Sequence, residues 1–270
     1  MSTTVDNTLE IKAYWDQRAF NAAESPKATT DDIYLRELEI KTFTQAIRGL
    51  DLADGSVVVD IGCGDGFTTC HIAAQFPQLK FIGVDYSQAM ITTARMRLSN
   101  MPKLADQYLE FRVGDATSIE TLFASNSVDV VLTDRCLINL ASPLAQYDAI
   151  RQIYKILRAK GYYLGIENFT SGQEELNKAR TAIGLMEIPV RWHNLFFKED
   201  EFRDTLQSLY SDINIINFSS AYYYATRVIY SKYCQMLDIE PDYCHELHQL
   251  AVNLPIMGMF SPIKLAVLAK

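Results

Sequence analysis

Three glycines at alternate positions, Gly62, Gly64 and Gly66, follow the apolar run VVVDI and precede a helical period in the segment VVVDIGCGDGFTT. Such a turn lets a ligand approach the backbone closely, takes conformations that a Cβ forbids, and turns the amides of a helix N-terminus toward the ligand. Asp85 ends the next apolar run, about twenty residues on, where a carboxylate can accept both hydroxyls of a ribose. Asp115 ends a third run and is followed by Ala116, a placement suited to binding the exocyclic amine of adenine. A fourth run closes in TDRCLINL, with Asp134, Arg135 and Asn139, and a fifth closes with Glu167 and Asn168, within reach of a second reactant at the same rim. PVRWHN supplies His193, whose neutral imidazole can act as a general base near physiological pH; packing beside Trp192 is the alternative. Asn139 likewise serves either the chemistry or a turn. His71, His245 and His248 read as structural.

The elements that must position these groups are legible as alternation. SVVVDI, LKFIGVD, YLEFRVGD, SVDVVLTD and GYYLGIEN are short runs rich in β-branched residues, separated by helical periods over 68–76, 87–100, 116–124 and 142–159. The pattern predicts βαβ units and a doubly wound, mostly parallel seven-stranded sheet with helices on both faces. Ligands collect at the carboxyl ends of strands in such sheets, and all of the candidates above except His193 stand there. Two helices, over 9–20 and 31–50, precede the first strand; Ser25-Pro26 separates them and Thr30 or Asp31 offers an N-cap for the second. After Glu167 the rhythm loosens into helices over 171–184 and 198–210, a strand over 211–218, a tyrosine-rich helical stretch over 221–252 and a last strand over 263–268. No repeat or low-complexity linker divides the chain, so residues 1–270 read as one domain: a helical cap over 1–50, a ligand-binding core over 51–168 and helical insertions among the remaining strands over 169–270.

Bulk properties narrow the function classes. With 270 residues, 49% of them hydrophobic, the chain can bury a large core. A net charge of -8 argues against a surface built to follow a phosphate backbone, so no nucleic acid partner is expected. The five cysteines form neither a CxxC pair nor a zinc spacing, which predicts a reduced, cytoplasmic chain without a metal site. No signal-peptide pattern or membrane-spanning run is found, and no membrane association is expected.

DIGCGDG resembles the first motif of the class I S-adenosylmethionine-dependent methyltransferases, VDYSQAM the segment after their second strand, and VGDAT their adenine-contacting segment. The resemblance covers positions 50–168 and implies S-adenosyl-L-methionine as cofactor. Carried over by position, Asp60, Gly62, Cys63, Gly64 and Gly66 line its methionine and ribose parts. Asp85 binds the ribose, Tyr86 and Met90 pack on the base, and Asp115 and Ala116 bind adenine. Asp134 and Arg135 meet the methionine end, and Arg36, with Tyr14 and Arg18 on helices folded over the cofactor, forks onto its carboxylate. The implied reaction is methyl transfer to an oxygen or nitrogen of a small-molecule acceptor such as a natural product, sugar or metabolite, with His193, Glu167 and Asn139 as catalytic candidates.

Two other readings stand beside this one. A nicotinamide-dependent oxidoreductase would need a third glycine where Phe67 stands, and Asp60 suits an ammonium and a sulfonium better than a pyrophosphate. A non-catalytic cofactor-binding or regulatory protein would retain the same fold. Where the family has a short connection between its last two strands, residues 219–254 intervene here; Tyr222, Tyr223, Tyr224, Tyr230, Tyr233 and Tyr243 suit an acceptor lid, a homodimer contact or core packing.

Overall fold

The computed structural model describes residues 3–22, 30–104 and 107–270, and the Ser25-Pro26 break lies outside them. Its sheet has seven strands in the order β3-β2-β1-β4-β5-β7-β6. The strands are β1 (Val57–Ile61), β2 (Lys80–Asp85), β3 (Leu109–Val113), β4 (Val128–Asp134), β5 (Leu157–Asn168), β6 (Asp212–Ile216) and β7 (Ile263–Ala269). The first five are mutually parallel, whereas β7 runs antiparallel to both neighbours, β5 and β6. The doubly wound, mostly parallel sheet is therefore as expected, with one antiparallel hairpin at an edge.

Strand periodicity assigns the two cores. Val58, Val130, Leu132, Leu164 and Leu265 point to one face, and Val59, Ile61, Val131, Tyr163 and Ala266 to the other. On the first face lie α2 (Ile33–Arg48), α3 (Phe67–Ala73), α4 (Gln88–Ser99) and α10 (Glu246–Ala251). α5 (Pro143–Ile156) and α7 (Glu199–Leu206) cover the second. α1 (Thr3–Ala22) packs on α4, and α6 (Thr170–Ala182) follows β5. Strand order reverses between β1 and β4, so the crevice at their carboxyl ends is the topological switch point, where ligands bind in this architecture.

Several local expectations are corrected. The cap of α2 is Asp32, whose Oδ1 accepts from Leu35 N at 3.0 Å; Thr30 Oγ1 instead accepts from Asp32 N. Residues 116–124 do not form an α-helix but 3-10 turns over Ala116–Thr121, broken where Ser118 leaves helical geometry. α5 stops at Ile156 and β5 begins immediately, four residues before the glycine expected to open it. The helical stretch expected over 221–252 consists of four pieces: α8 (Ser220–Tyr223), a π-helical segment (Tyr224–Tyr230), α9 (Ser231–Leu237) and α10. Thr226 Oγ1 donates back to Tyr222 O at 2.7 Å and Asp238 takes a left-handed conformation that ends α9.

The return from α6 to β7 depends on close backbone contact. A Cβ on Gly172 would lie 1.8 Å from Ser261 O, an atom that cannot swing aside. Nearby, the fully buried Lys264 of β7 donates to Ser171 Oγ at 2.9 Å and Glu199 Oε2 at 2.5 Å, tying β7 to α6 and α7. Gly172→Ala is expected to destabilise the protein by about 1–3 kcal/mol, readable as a lower denaturation midpoint, although it raises helix propensity. A midpoint at or above that of the parent would mean that the two backbones are not in contact.

Candidate functional site

The glycine turn is shaped by packing as well as by torsion. Gly62 has φ 76° and an added Cβ would sit 2.4 Å from Cys136 Sγ; Gly66 has φ 70° and faces the Phe111 ring at 2.7 Å. Gly64 N donates to Asp85 Oδ2 at 3.0 Å, while Asp85 Oδ1 accepts from Ser87 N at 2.9 Å. The carboxylate at the end of β2 thus fixes the turn after β1. Around this turn opens a cleft of about 430 Å³, lined on one side by Asp60, Gly62, Cys63, Gly64, Asp85, Tyr86, Met90, Asp134 and Arg135.

The other walls come from three sources: α2, with Asp32, Leu35 and Arg36; α6 and the loop after it, with Gln173, Arg180, Arg191 and His193; and the helical insertion before β7, with Tyr223, Arg227, Tyr243 and His248. Gln173 Nε2 and Asn177 Nδ2 donate to Ile188 O, and Asn177 Oδ1 accepts from Ile188 N, which pins the loop carrying Arg191 and His193. The His193 ring is enclosed by Tyr14 at 4.8 Å, Trp192 at 5.2 Å and Trp15 at 5.7 Å between centroids. Burial, reinforced by Arg191 and Arg18, holds its pKa below the usual histidine value, so the ring is neutral at neutral pH.

Buried polar atoms without a hydrogen-bond partner are rare in folded proteins and ask for an explanation. Here Tyr86 Oη, Asn139 Oδ1, Asn168 Oδ1, His193 Nδ1 and Arg227 Nη1 are all such atoms, and all five residues line this one cleft. A polar ligand would complete them. With the glycine cradle and buried carboxylates beside it, the residues fit an adenosyl ligand that carries an ammonium and a sulfonium.

Other assignments are redrawn. Glu167 does not face the cleft: it is buried, and its two oxygens accept from Leu137 N at 3.0 Å and Ile138 N at 3.3 Å. It is a positioning residue that holds the loop after β4. Tyr14 is not a lining residue and contacts the cleft through His193, whereas Trp15 lines it. Asp115 and Ala116 stand outside the lining; Asp115 is exposed and its Oδ1 caps the following turn through Thr117 N and Oγ1. Arg36 does line the cleft, but its Nη2 pairs with Asp65 Oδ1 at 3.2 Å, so it links α2 to the glycine turn. Arg18 pairs with Asp31 at 3.3 Å. No group of three or more histidine, cysteine or acidic residues among the described residues is arranged to hold a metal.

Two clusters were not anticipated. Glu39, wholly buried on α2, meets Arg135 at 3.1 Å, and Arg135 in turn lies 3.6 Å from Asp134. Burial pushes the Glu39 carboxyl up, against the lowering effect of Arg135. Its signal was a carboxylate in the buried stripe of α2, four residues after Leu35. Asp32 accepts from Tyr222 Oη at 2.6 Å and from Arg227 Nη2, with His248 Nδ1 at 3.7 Å. These contacts fasten the insertion to the N-terminus of α2, and His248, read as structural, is buried among them.

Burial also lifts Asp60 to about 7, against the lowering effect of the Thr69 hydroxyl, and Asp85 to about 6, against the Ser87 and Gly64 amides. Both values exceed the unfolded value of 3.8, so the stability these groups contribute is full below it and is lost as pH rises through about 6 to 7. A cationic ligand reverses that preference by favouring the carboxylates. Affinity for an adenosyl ligand with a free ammonium is therefore expected to fall as pH drops from 7 to 6, with proton release on binding. Calorimetry in buffers of different ionisation enthalpy measures this; identical heats would refute it.

The sheet order and the fold are similar to those of Rossmann-like methyltransferases. Residues 58–161 match the methyltransferase domain family. Trans-aconitate 2-methyltransferase of Acidovorax sp. is 47% identical over 45 residues, 17% of either chain. Carboxy-S-adenosyl-L-methionine synthase of Campylobacter fetus is 27% identical over 164 residues, 59% of this chain and 66% of its own. A putative methyltransferase of Haloferax volcanii, solved in complex with the Trm112 methyltransferase activator, superposes with a TM-score of 0.58 at 15% identity, covering 94% of this chain and 96% of that one. The chain spans less than a third of the length of the first curated relatives it matches. No helix among the described residues is long and apolar enough to cross a membrane.

Proposed function

We propose that this chain, acting as a single domain, transfers a methyl group from S-adenosyl-L-methionine to an oxygen or nitrogen of a small-molecule acceptor. The convergence of the unpartnered Tyr86, Asn139, Asn168 and His193 atoms on the cleft beside the glycine turn carries the reading. When bound, the cofactor supplies an electrophilic methyl on a positively charged sulfur. Asp85 accepts the ribose hydroxyls, Asp60 and Asp134 favour the cationic end, and Tyr86 and Met90 wall the base. Asn139 and Asn168 offer carbonyl oxygens to the hydroxyl or amine of the acceptor and orient it, and positioning can supply much of the barrier reduction in such a displacement. His193, held neutral, takes the proton that the nucleophile loses. The name of trans-aconitate 2-methyltransferase specifies a small molecule as acceptor, which supports the same class here.

The test is calorimetric titration with S-adenosylhomocysteine and with NADH, followed by transfer of labelled methyl to a panel of alcohols, amines and acids. Binding of the first ligand and label transfer to at least one acceptor are expected, with transfer slowed in His193→Ala at unchanged product affinity. Heat from NADH alone would overturn the assignment.

A further inference from the structure

The charges lining the cleft are divided. Beside the glycine turn stand the carboxylates of Asp60, Asp85 and Asp134. The arginines on that side have acidic partners: Arg36 pairs with Asp65, and Arg135 with Glu39. On the side built by α6, its following loop and the insertion, Arg180, Arg191 and Arg227 line the same cleft. Arg180 is held by carbonyl oxygens, donating from Nε to Met186 O at 2.8 Å and from Nη1 to Arg227 O. Arg227 reaches Asp32 through Nη2, while its guanidinium lies 4.6 Å from the Tyr243 ring centroid and 5.4 Å from that of Tyr223. Its Nη1 is buried with no hydrogen-bond partner.

We infer that the methyl acceptor carries an anionic oxygen group, a carboxylate or a phosphate, seated on Arg180, Arg191 and Arg227; this rests on the methyltransferase reading of the same cleft. The Arg227 guanidinium repels that of Arg180, whose Nη1 reaches the Arg227 carbonyl oxygen, and burial together with Arg227 holds the pKa of Arg180 below its ordinary value. A planar carboxylate or a phosphate relieves that repulsion and gives Nη1 of Arg227 the acceptor it lacks, through charge-assisted hydrogen bonds of the strong kind. The Arg227 guanidinium lies over the Tyr223 and Tyr243 rings, contacts that restrain it before the ligand arrives. A cationic acceptor would add to that repulsion, and a neutral one would not relieve it. Specificity built on buried donors rejects analogues that lack the matching group far more strongly than an apolar wall does.

The experiment is a titration at constant ionic strength, with and without saturating S-adenosylhomocysteine. Glutarate and glycerol 3-phosphate are the anionic probes, and glutaramide and glycerol their neutral counterparts. At least one anion is expected to bind while its counterpart does not, and the arm that binds separates carboxylate from phosphate. Arg191→Gln, at an exposed position, and Arg180→Gln should each weaken that anion about tenfold, as expected for loss of one charge-assisted contact. Affinity for S-adenosylhomocysteine should be unchanged in Arg191→Gln. Equal binding of neutral and anionic probes, no binding of either anion, or full anion affinity in both variants would overturn the inference. Absence of S-adenosylhomocysteine binding would instead remove the cofactor assignment, and the titration of the free protein would still decide the anion site.

Discussion

Asp85→Ala is expected to weaken S-adenosylhomocysteine binding about 100-fold or more, because a hydrogen bond to a charged acceptor contributes about 1.5–3 kcal/mol and a ribose offers two donors. The same substitution leaves Gly64 N and Ser87 N without their acceptor, so stability should fall by about 1–3 kcal/mol as well. Asp85→Asn separates the two effects. It keeps one oxygen for the amides but replaces the other with a donor, so a smaller binding loss of about tenfold is expected. Calorimetry reports the affinity and thermal denaturation without ligand reports the stability. If Asp85→Ala bound the ligand as the parent does while its midpoint fell, the carboxylate would be a brace for the turn and not a ribose contact.

That dual role also shows how far the amino-acid sequence can be read. The glycine turn and the strand-terminal carboxylates were legible because both follow from local rules: a strand that ends, a turn that needs positive φ, a helix that begins. The order of the parallel strands follows from handed crossovers. The antiparallel hairpin at the sheet edge and the interrupted insertion were less legible, since Tyr222 to Tyr230 carries apolar and aromatic residues that any helix tolerates. What stops it from being one straight helix is tertiary: Tyr222 Oη must reach Asp32, and Arg227 must reach the same carboxylate. Those pairs are 190 and 195 residues apart, beyond any periodicity.

Glu167 and Asp115 show the opposite limit. Their position at a strand end is legible, but the side chain at such an end has two possible directions. Glu167 turns to the amides of the loop after β4 and Asp115 to the amide of Thr117, each satisfying a donor that would otherwise be buried or uncapped. The cleft is left to Asn168 and to Asp85, their neighbours along the rim. His193 is placed at the cleft by a loop whose path depends on Gln173 and Asn177, neither of which has any motif to announce it.

Asp65 gives the other large effect, although it does not line the cleft. Its carboxylate is completely buried and accepts from Arg36 Nη2 at 3.2 Å and Arg97 Nη2 at 2.7 Å. Both guanidiniums also lie over the Phe67 ring, at 4.7 and 5.0 Å from its centroid. One acid thus holds α2 and α4 to the glycine turn. Asp65→Leu would leave two adjacent guanidiniums, only 5% and 11% exposed, without the negative charge between them. Breaking a buried pair in this way costs about 3–5 kcal/mol. Since about 1 kcal/mol moves the midpoint of a protein of this size by roughly 2–4 °C, a fall of about 10 °C is expected. Lys155→Ala, which removes an exposed partner of Glu120, serves as the control, with an effect within about 1 kcal/mol. The affinity for S-adenosylhomocysteine should fall in Asp65→Leu even under conditions where the variant is folded, because Arg36 and Leu35 of α2 form one wall of the cleft. Exchanging all three charges for apolar side chains, Asp65→Leu with Arg36→Met and Arg97→Met, should recover most of the stability, since no unpaired charge is then buried. A midpoint in Asp65→Leu within about 2 °C of the parent, less than roughly 1 kcal/mol, would refute the latch. A stable triple variant that still bound the ligand weakly would place the functional share of the latch in Arg36 itself.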